Sequence, residues 1–368
     1  MKSKIFKSVA VGCLVSITLL DCLPDKPSLL DGNIYLAIAV FDTSGTYEPA
    51  DSTRCTPLPG ARITLASKEY ENQFSFVTDS SGRVDITGIL ASDYEIFVEY
   101  PISTRLVLLA AQTRSIYSSI PVVDSMFTHA NATSPLVINE IYSCGPPNNI
   151  FYFYDQYVEL YNRSDEVQYL DGMIVTRCRT GPEIEPFIET WDYVENTYAF
   201  QFPGTPGGTE YPVNPGQFVV LASDAYNHSQ VIAEAVNLEH ADWEFVNQLT
   251  SDYDNPGVPN LQNINPARTT DYLISLRSDA VILAEGTNFW QNGDYVDVHI
   301  NTILDGVEYK SSGTLSKRLT RRLDSGYTGI GVSNYSGKSR ERITPGKDTN
   351  NSTIDFAVID APTPGYNH

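Results

Sequence analysis

Glu140 and Glu159 are the residues of this chain whose type and setting come nearest to catalytic chemistry. Two carboxyl groups flanking a cleft can hydrolyse a glycosidic bond, one as acid and the other as nucleophile or base. Both glutamates, however, stand inside strand-like runs, Leu136-Val137-Ile138-Asn139-Glu140-Ile141-Tyr142 and Tyr157-Val158-Glu159-Leu160-Tyr161-Asn162. A structural role, taking backbone amides or pairing with an arginine such as Arg318, is the stronger expectation. The five histidines, His129, His228, His240, His299 and His368, form no i, i+4 pair, so a catalytic zinc ion lacks its ligands. No Gly-x-Ser-x-Gly elbow is present to raise a nucleophilic serine. The chain is therefore expected not to be an enzyme, with no catalytic and no metal-ligating residue assigned. A hydrolase with an unrecognised site within residues 177–270 is the outlying alternative.

Binding chemistry has more to work with. Asp252-Tyr253-Asp254-Asn255 and Asp348-Thr349-Asn350-Asn351 are rich in oxygen ligands, and calcium is the one cofactor they suggest. Neither has the spaced twelve-residue loop of a strong calcium motif, and Asx side chains close turns unaided. Aromatic rings cluster in Ile150-Phe151-Tyr152-Phe153-Tyr154 and in Trp191-Asp192-Tyr193, with Trp243 and Trp290 elsewhere. Exposed rings beside Asp and Asn suit sugar stacking or a protein hot spot, which makes Tyr152, Tyr154, Trp191 and Tyr193 the binding candidates. Packing between sheets is the structural alternative for the same rings. Lys317-Arg318 and Arg321-Arg322 read as a solvated strand and turn.

The N-terminus sets the compartment. Lys2, Lys4 and Lys7 precede an apolar run from Val9 to Leu20, too short to span a bilayer but suited to a signal-peptide core. Cys22 follows, where a lipoprotein signal places the thiol that takes a diacylglycerol; Asp21 stands where such signals usually have a small residue. Cys22 is the lipidation candidate, and a soluble exported protein is the alternative. Removing residues 1–21 takes away three lysines and one aspartate, leaving 21 basic and 44 acidic side chains, a net charge of −23. That balance argues against nucleic acid and anionic lipid as partners. An exported chain permits disulfides, and Cys144 and Cys178 are the candidate pair; Cys55 is then left over.

The elements that must position these residues are strands. Apart from a short helical stretch around Ser229 to Asn237, the chain is a series of β-branched and aromatic runs broken by Gly, Pro, Asn and Asp. The predicted organisation is a signal at 1–21, a tether at 22–31, a domain at 32–126, a linker at 127–135 and a domain at 136–368. The second domain carries ordered loop insertions at about 177–215 and 225–270. Ile34 to Phe41 is nearly all apolar and predicts a strand covered on both faces.

In the first domain, Pro57-x-Pro-Gly-Ala-x-Ile-x-Leu65, Thr78-Asp-x-x-Gly-x-Val84, Gly88-Ile-Leu90 and Tyr94-x-Ile-x-Val98 follow one another in order. The series resembles the carboxypeptidase-regulatory-like and Cna-B-like sandwich modules, which implies a structural or docking role. In the second domain, Ile138-Asn-Glu-Ile141, Tyr157-Val-Glu-Leu-Tyr-Asn162, Leu170-Asp-Gly172, Pro215-Gly-Gln-Phe-Val-Val-Leu221, Ser316-Lys-Arg-Leu319, Asp348 to Phe356 and Pro362-Thr-Pro-Gly365 resemble the lamin-tail domain. Together they imply an all-β protein of two immunoglobulin-like β-sandwich domains after a lipoprotein-type signal peptide, similar to lipoproteins of Bacteroides-type bacteria. The expected function is a non-catalytic, lipid-anchored outer-membrane protein, on the periplasmic or cell-surface face. It would bind a protein partner there, such as an outer-membrane transporter. Glycan binding through the aromatic loops of the second domain is the alternative.

Overall fold

The computed structural model describes residues 34–47, 55–67, 69–70, 73–103, 106–117, 120–147, 151–179 and 191–366. The signal, Cys22 and the tether lie outside the described residues. Within them the chain is nearly all β, as expected.

The first sheet comprises β1 (Ile34–Asp42), β2 (Thr56–Pro57), β3 (Arg62–Ser67), β4 (Gln73–Val77), β5 (Arg83–Ile89), β6 (Ser92–Ser103), β7 (Leu106–Ile116) and β8 (Val122–Ala132). They run in the order β2-β1-β8-β7-β6-β3-β4, with β5 also on β1. One core cluster collects Leu36, Ile38 and Val40 of β1, Ile63 and Leu65 of β3, and Ile96 and Val98 of β6. Strands far apart in the order therefore share one core, and the sheet curls around it.

Two expectations change here. The strand from Ile34 is covered on both sides but unequally: Ile34, Leu36, Ile38 and Val40 of its core face are buried, whereas on the other face Ala37 is buried and Tyr35, Ala39 and Phe41 are half-buried. Residues 127–132 are strand rather than linker. β8 pairs in parallel with β1 and antiparallel with β7. Its polar residues read as a linker because one of its faces is open to solvent, Val123, Ser125 and His129 being exposed.

The second sheet begins with β9 (Leu136–Tyr142), β10 (Tyr157–Asn162), β12 (Ile174–Cys178), β13 (Tyr193–Gln201) and β15 (Phe218–Ala222), and between these in sequence lie β11 (Gln168–Tyr169) and β14 (Pro212–Val213). It continues through β16 (Trp243–Val246), β17 (Asn260–Asn263), β18 (Ser278–Ala284), β19 (Phe289–Asn292), β20 (Tyr295–His299), β21 (Ile303–Lys310), β22 (Ser339–Arg342) and β23 (Phe356–Ile359). The order is β21-β18-β12-β13-β17-β16-β15-β10-β9-β22-β23, with β20 on β13 and β19 on β20; β11 and β14 pair separately. This sheet also curls, since Asp305 of β21 accepts the Ile138 N–H of β9 at 2.7 Å.

The stretches expected as loop insertions supply strands to this sheet. β16 pairs in parallel with β15 and β17. Trp243 and Phe245 point into the core, where Phe245 stacks on Tyr272 at 3.9 Å between centroids and Phe202 meets Trp243 edge-on at 5.0 Å. Burying a ring of this kind contributes roughly 1.5–3 kcal/mol, and this is why two strands of only four residues hold their place. The helix expected around Ser229 to Asn237 is a single 3₁₀ turn, His228–Gln230. The one α-helical turn among the described residues, α1 (Ser352–Asp355), starts at Asn351, whose side chain accepts the Thr353 N–H.

Candidate functional site

The carboxylates singled out for catalysis are part of the fold. Antiparallel pairing sets Glu159 of β10 opposite Glu140 of β9, and Glu140 opposite Glu341 of β22. All three are buried. The Thr363 N–H donates to both oxygens of Glu140, at 3.2 and 3.3 Å. Gly365 donates its N–H to Glu159 at 2.6 Å and Asn139 its side-chain amide at 3.0 Å. Burial pushes Glu140 up to about 7 and Glu159 up to about 9, partly offset by these donors. The C-terminal segment covers both groups. Arg318 is not their partner; it pairs with Asp279 at 3.3 Å, as Arg177 does at 2.6 Å.

The oxygen-rich segments are likewise engaged. Arg342, fully buried, faces Asp305 at 2.9 Å, Asp355 at 3.4 Å and Asp348 at 3.5 Å, so a guanidinium stands where the 348–351 segment suggested calcium. Asp252 accepts the Asn247 N–H at 2.7 Å, and the Asn255 N–H donates to Glu244 at 2.8 Å. Among the described residues, no group of three or more His, Cys, Asp or Glu side chains is placed to hold a metal ion.

The four aromatic candidates fall into two separate groups. Tyr152 donates its hydroxyl to Nδ1 of His228 at 2.6 Å, while Nε2 of His228 donates to the Asp224 carbonyl at 3.0 Å. A carbonyl only accepts, which fixes the tautomer with its proton on Nε2. Burial pushes His228 down to about 4, so this ring is a neutral brace. Tyr154 remains at the rim, stacked on Phe153 at 5.1 Å and 38% exposed. His228 carried no signal in the sequence beyond its residue type.

Trp191 and Tyr193 form the second group, and Trp290 joins them. β13, β20 and β19 lie side by side, with Tyr193 opposite His299, Glu195 opposite Asp297, and Asp297 opposite Trp290. Side chains alternate along a strand, so Tyr193, Glu195, Asp297 and Trp290 share one face. Trp191 stacks on Tyr193 at 5.2 Å and 14°, and Trp290 meets Tyr193 at 5.7 Å and 64°. Trp290 is 39% exposed. Polar groups border the rings. Asn292 donates to Asp297 at 2.8 Å, Arg179 pairs with Glu195 at 2.8 Å, and Arg322 donates to the Trp191 carbonyl. The hollow beneath Trp191 and Tyr193, about 20 Å³, has room for a water but not a sugar. A ligand here must lie on the rings.

A wide cleft, about 1300 Å³, opens among turns at one end of the second sheet. Two of its charged groups already have partners: Arg163 donates to the carbonyls of Ser134 and Gly346, and Asp171 accepts the N–H groups of Glu210 and Tyr211.

The expected disulfide is not made: Cys144 and Cys178 are both free thiols. Cys144 packs with Tyr142 and Tyr157 and donates its thiol to the Lys338 carbonyl at 2.6 Å. Cys178 belongs to a different cluster, with Ile174 and Val194, and burial raises its thiol well above the usual range. Cys55 is exposed. A thiol reagent added to the folded protein is expected to modify Cys55 and leave Cys144 and Cys178 untouched until denaturant is added. Mass spectrometry of the labelled peptides reads the outcome.

The fold and site together define a nearly all-β protein of curled sheets with an aromatic ledge on one sheet. A family model described as "Protein of unknown function (DUF4876)" matches residues 214–292 and 276–363. The chain is similar in fold to the crystal structure of a DUF4876 family protein from Bacteroides thetaiotaomicron VPI-5482. The identity is 20% and the TM-score 0.52, over 88% of this chain and 94% of that one. A Streptococcal ancillary pilin aligns at 10% identity and a TM-score of 0.20, over 62% of each chain. No curated protein matches the chain. Among the described residues, no helix is long and apolar enough to cross a membrane.

Proposed function

We propose that this chain is a non-catalytic binding protein of the bacterial envelope, exported and tethered by a lipid on Cys22, whose second sheet offers an aromatic ledge to a glycan. The observation that carries the reading is the grouping of Tyr193 and Trp290 on one face of three paired strands, with Trp191, just before β13, stacked on Tyr193. Rings held on a sheet lose little freedom when a sugar stacks on them, and the exposed Asn292 is at hand for its hydroxyls. The burial of Glu140 and Glu159 beneath the chain end supports a role without catalysis. The two sheets are read as two immunoglobulin-like domains, the first of the regulatory-like and the second of the lamin-tail-like kind. On a glycan array with calcium present, the protein is expected to bind a subset of glycans. Trp290→Ala or Tyr193→Ala should weaken that binding about tenfold or more, the effect of removing a stacking anchor worth about 2 kcal/mol. An array without binding, or variants that bind as the parent does, would sink the reading.

A second reading, docking to a protein such as an outer-membrane transporter, is favoured by the first sheet. Phe127 and Val123 are exposed on β8, and Phe127 stacks on Phe41 at 5.8 Å.

A further inference from the structure

A second strip of aromatic rings, apart from the ledge, links the loops that precede β10, follow β15 and follow β16. Tyr154 meets Tyr152 at 5.6 Å between centroids, Tyr152 meets His228 at 5.7 Å, His228 meets Tyr226 at 5.5 Å, and Tyr226 meets Tyr253 at 5.4 Å. Phe153 and then Phe151 extend the strip beyond Tyr154, at 5.1 and 5.3 Å. Phe151 is 79% exposed, and Tyr154 and Tyr253 are exposed as well. The hydrogen bonds from Tyr152 to His228, and from His228 to the Asp224 carbonyl, fix the middle of the strip. Rings braced in this way are preorganised for a partner.

Carboxyl groups gather at the Tyr226–Tyr253 end. The Asp224 carboxyl lies among Asp252, Asp271 and Glu244, and its charge also reaches Tyr152 and Tyr253. Glu244 takes the N–H groups of Ala225 and Asn255, and Asp252 takes that of Asn247. Asp224 is half-buried, and among the described residues nothing hydrogen-bonds or ion-pairs with its carboxyl. A cation arriving there would offset the repulsion from its acidic neighbours. Elsewhere the chain covers rings with its own cations. Tyr198, Tyr295, Tyr309, Tyr327 and Phe356 each have a guanidinium or ammonium group 4.1 to 5.7 Å from the ring centroid. Among the described residues, no such group stands over a ring of the strip.

We propose that this strip is the docking surface for a basic segment of a partner protein, whose arginine or lysine side chains lie over Tyr154, Tyr226 and Tyr253 with Asp224 as their counter-charge. The negative face of an aromatic ring attracts a cation, and the attraction grows when the pair is desolvated at an interface. Asp252 and Asp254 flank Tyr253 in sequence, and the chain as a whole carries a net charge of −21, so a basic segment is steered toward it. The carboxyl groups decide the class of partner: an acidic segment is repelled, and a neutral sugar does nothing to offset their repulsion. The strip and the ledge share no ring, so either can fail alone.

The test is fluorescence anisotropy of the full chain with a labelled synthetic peptide of alternating arginine and leucine. The peptide is expected to bind, and more weakly as salt is raised. Tyr226→Ala and Tyr253→Ala should each weaken binding about tenfold, and Asp224→Asn about fivefold. Asp165→Asn/Glu166→Gln removes two exposed charges at the far end of β10 and should change binding by less than about twofold. If Tyr226→Ala does not fold, Tyr154→Ala and Phe151→Ala take its place, since both rings are exposed. A peptide that does not bind, or strip variants that bind as the parent does, would overturn the docking surface. So would a loss in the Asp165/Glu166 control equal to that of Asp224→Asn, because net charge alone would then explain the binding. Equal binding of the same peptide with glutamate in place of arginine would also count against it. Strip variants that lose glycans on an array while the peptide stays unbound would make the strip a sugar surface instead.

Discussion

Arg342→Leu is expected to destabilise the protein by about 3–5 kcal/mol, seen as a lowered midpoint of unfolding in urea. The guanidinium is fully buried and is the cation common to Asp305, Asp348 and Asp355. It also donates Nε to the Ile138 carbonyl at 2.8 Å and Nη1 to the Lys347 carbonyl at 2.7 Å, tying β9 and the 343–351 turn to β22. Leucine leaves three carboxyl groups buried without a positive charge. Burial already pushes Asp305 up to about 6 and Asp355 up to about 7 despite the arginine. Folded-state values above the unfolded ones mean stability that is present in acid and lost as pH rises through them. Removing the arginine raises them further, so the loss should be larger at neutral pH than at about pH 5. Arg342→Lys keeps charge without the planar fork and should fall between the two. A leucine variant within about 1 kcal/mol of the parent at neutral pH would refute the assignment.

Gly286→Ala is expected to cost about 2–5 kcal/mol, combining a left-handed backbone with overpacking. Gly286 has φ +74° just after β18, and a Cβ there would lie 1.9 Å from the Gly172 carbonyl oxygen. The clash is backbone against backbone, and Gly172 cannot retreat, because it is itself packed on Pro206. Gly293→Ala is the matched control. Its φ is +58°, but nothing lies within 4 Å of the added carbon, so only the backbone preference is lost, about 1 kcal/mol. Equal losses from the two substitutions, measured by thermal or urea unfolding, would show that the close approach to Gly172 does not matter.

Much of the second sheet was legible in the sequence because its strands are bounded by clear turn residues. Leu136–Tyr142, Tyr157–Asn162 and Phe218–Ala222 are strands where the apolar runs predicted them. The structural reading of Glu140 and Glu159 was legible too, since both belong to those runs. β16 and β17 were hidden, because four residues among Asn, Pro and Gly give no period to detect. The ledge was half legible. Trp191 and Tyr193 are neighbours in sequence, whereas Trp290 arrives only through the pairing of β19 with β20 and β20 with β13. Compartment chemistry permitted the Cys144–Cys178 bridge, but each thiol sits in its own apolar cluster.

The place of β9 has a consequence for how the chain acquires its structure. The first sheet draws all its strands from residues 34–132 and can close as soon as they are available. β9 opens the second sheet, yet one of its two neighbours is β22, which begins at Ser339. Until that strand arrives, β9 carries an unpaired edge, the kind of edge that recruits other chains. Contacts so distant in sequence also form slowly. Folding is thus expected to run in order along the chain, with the first sheet complete early and the second exposed to mispairing until residues 339–365 close it.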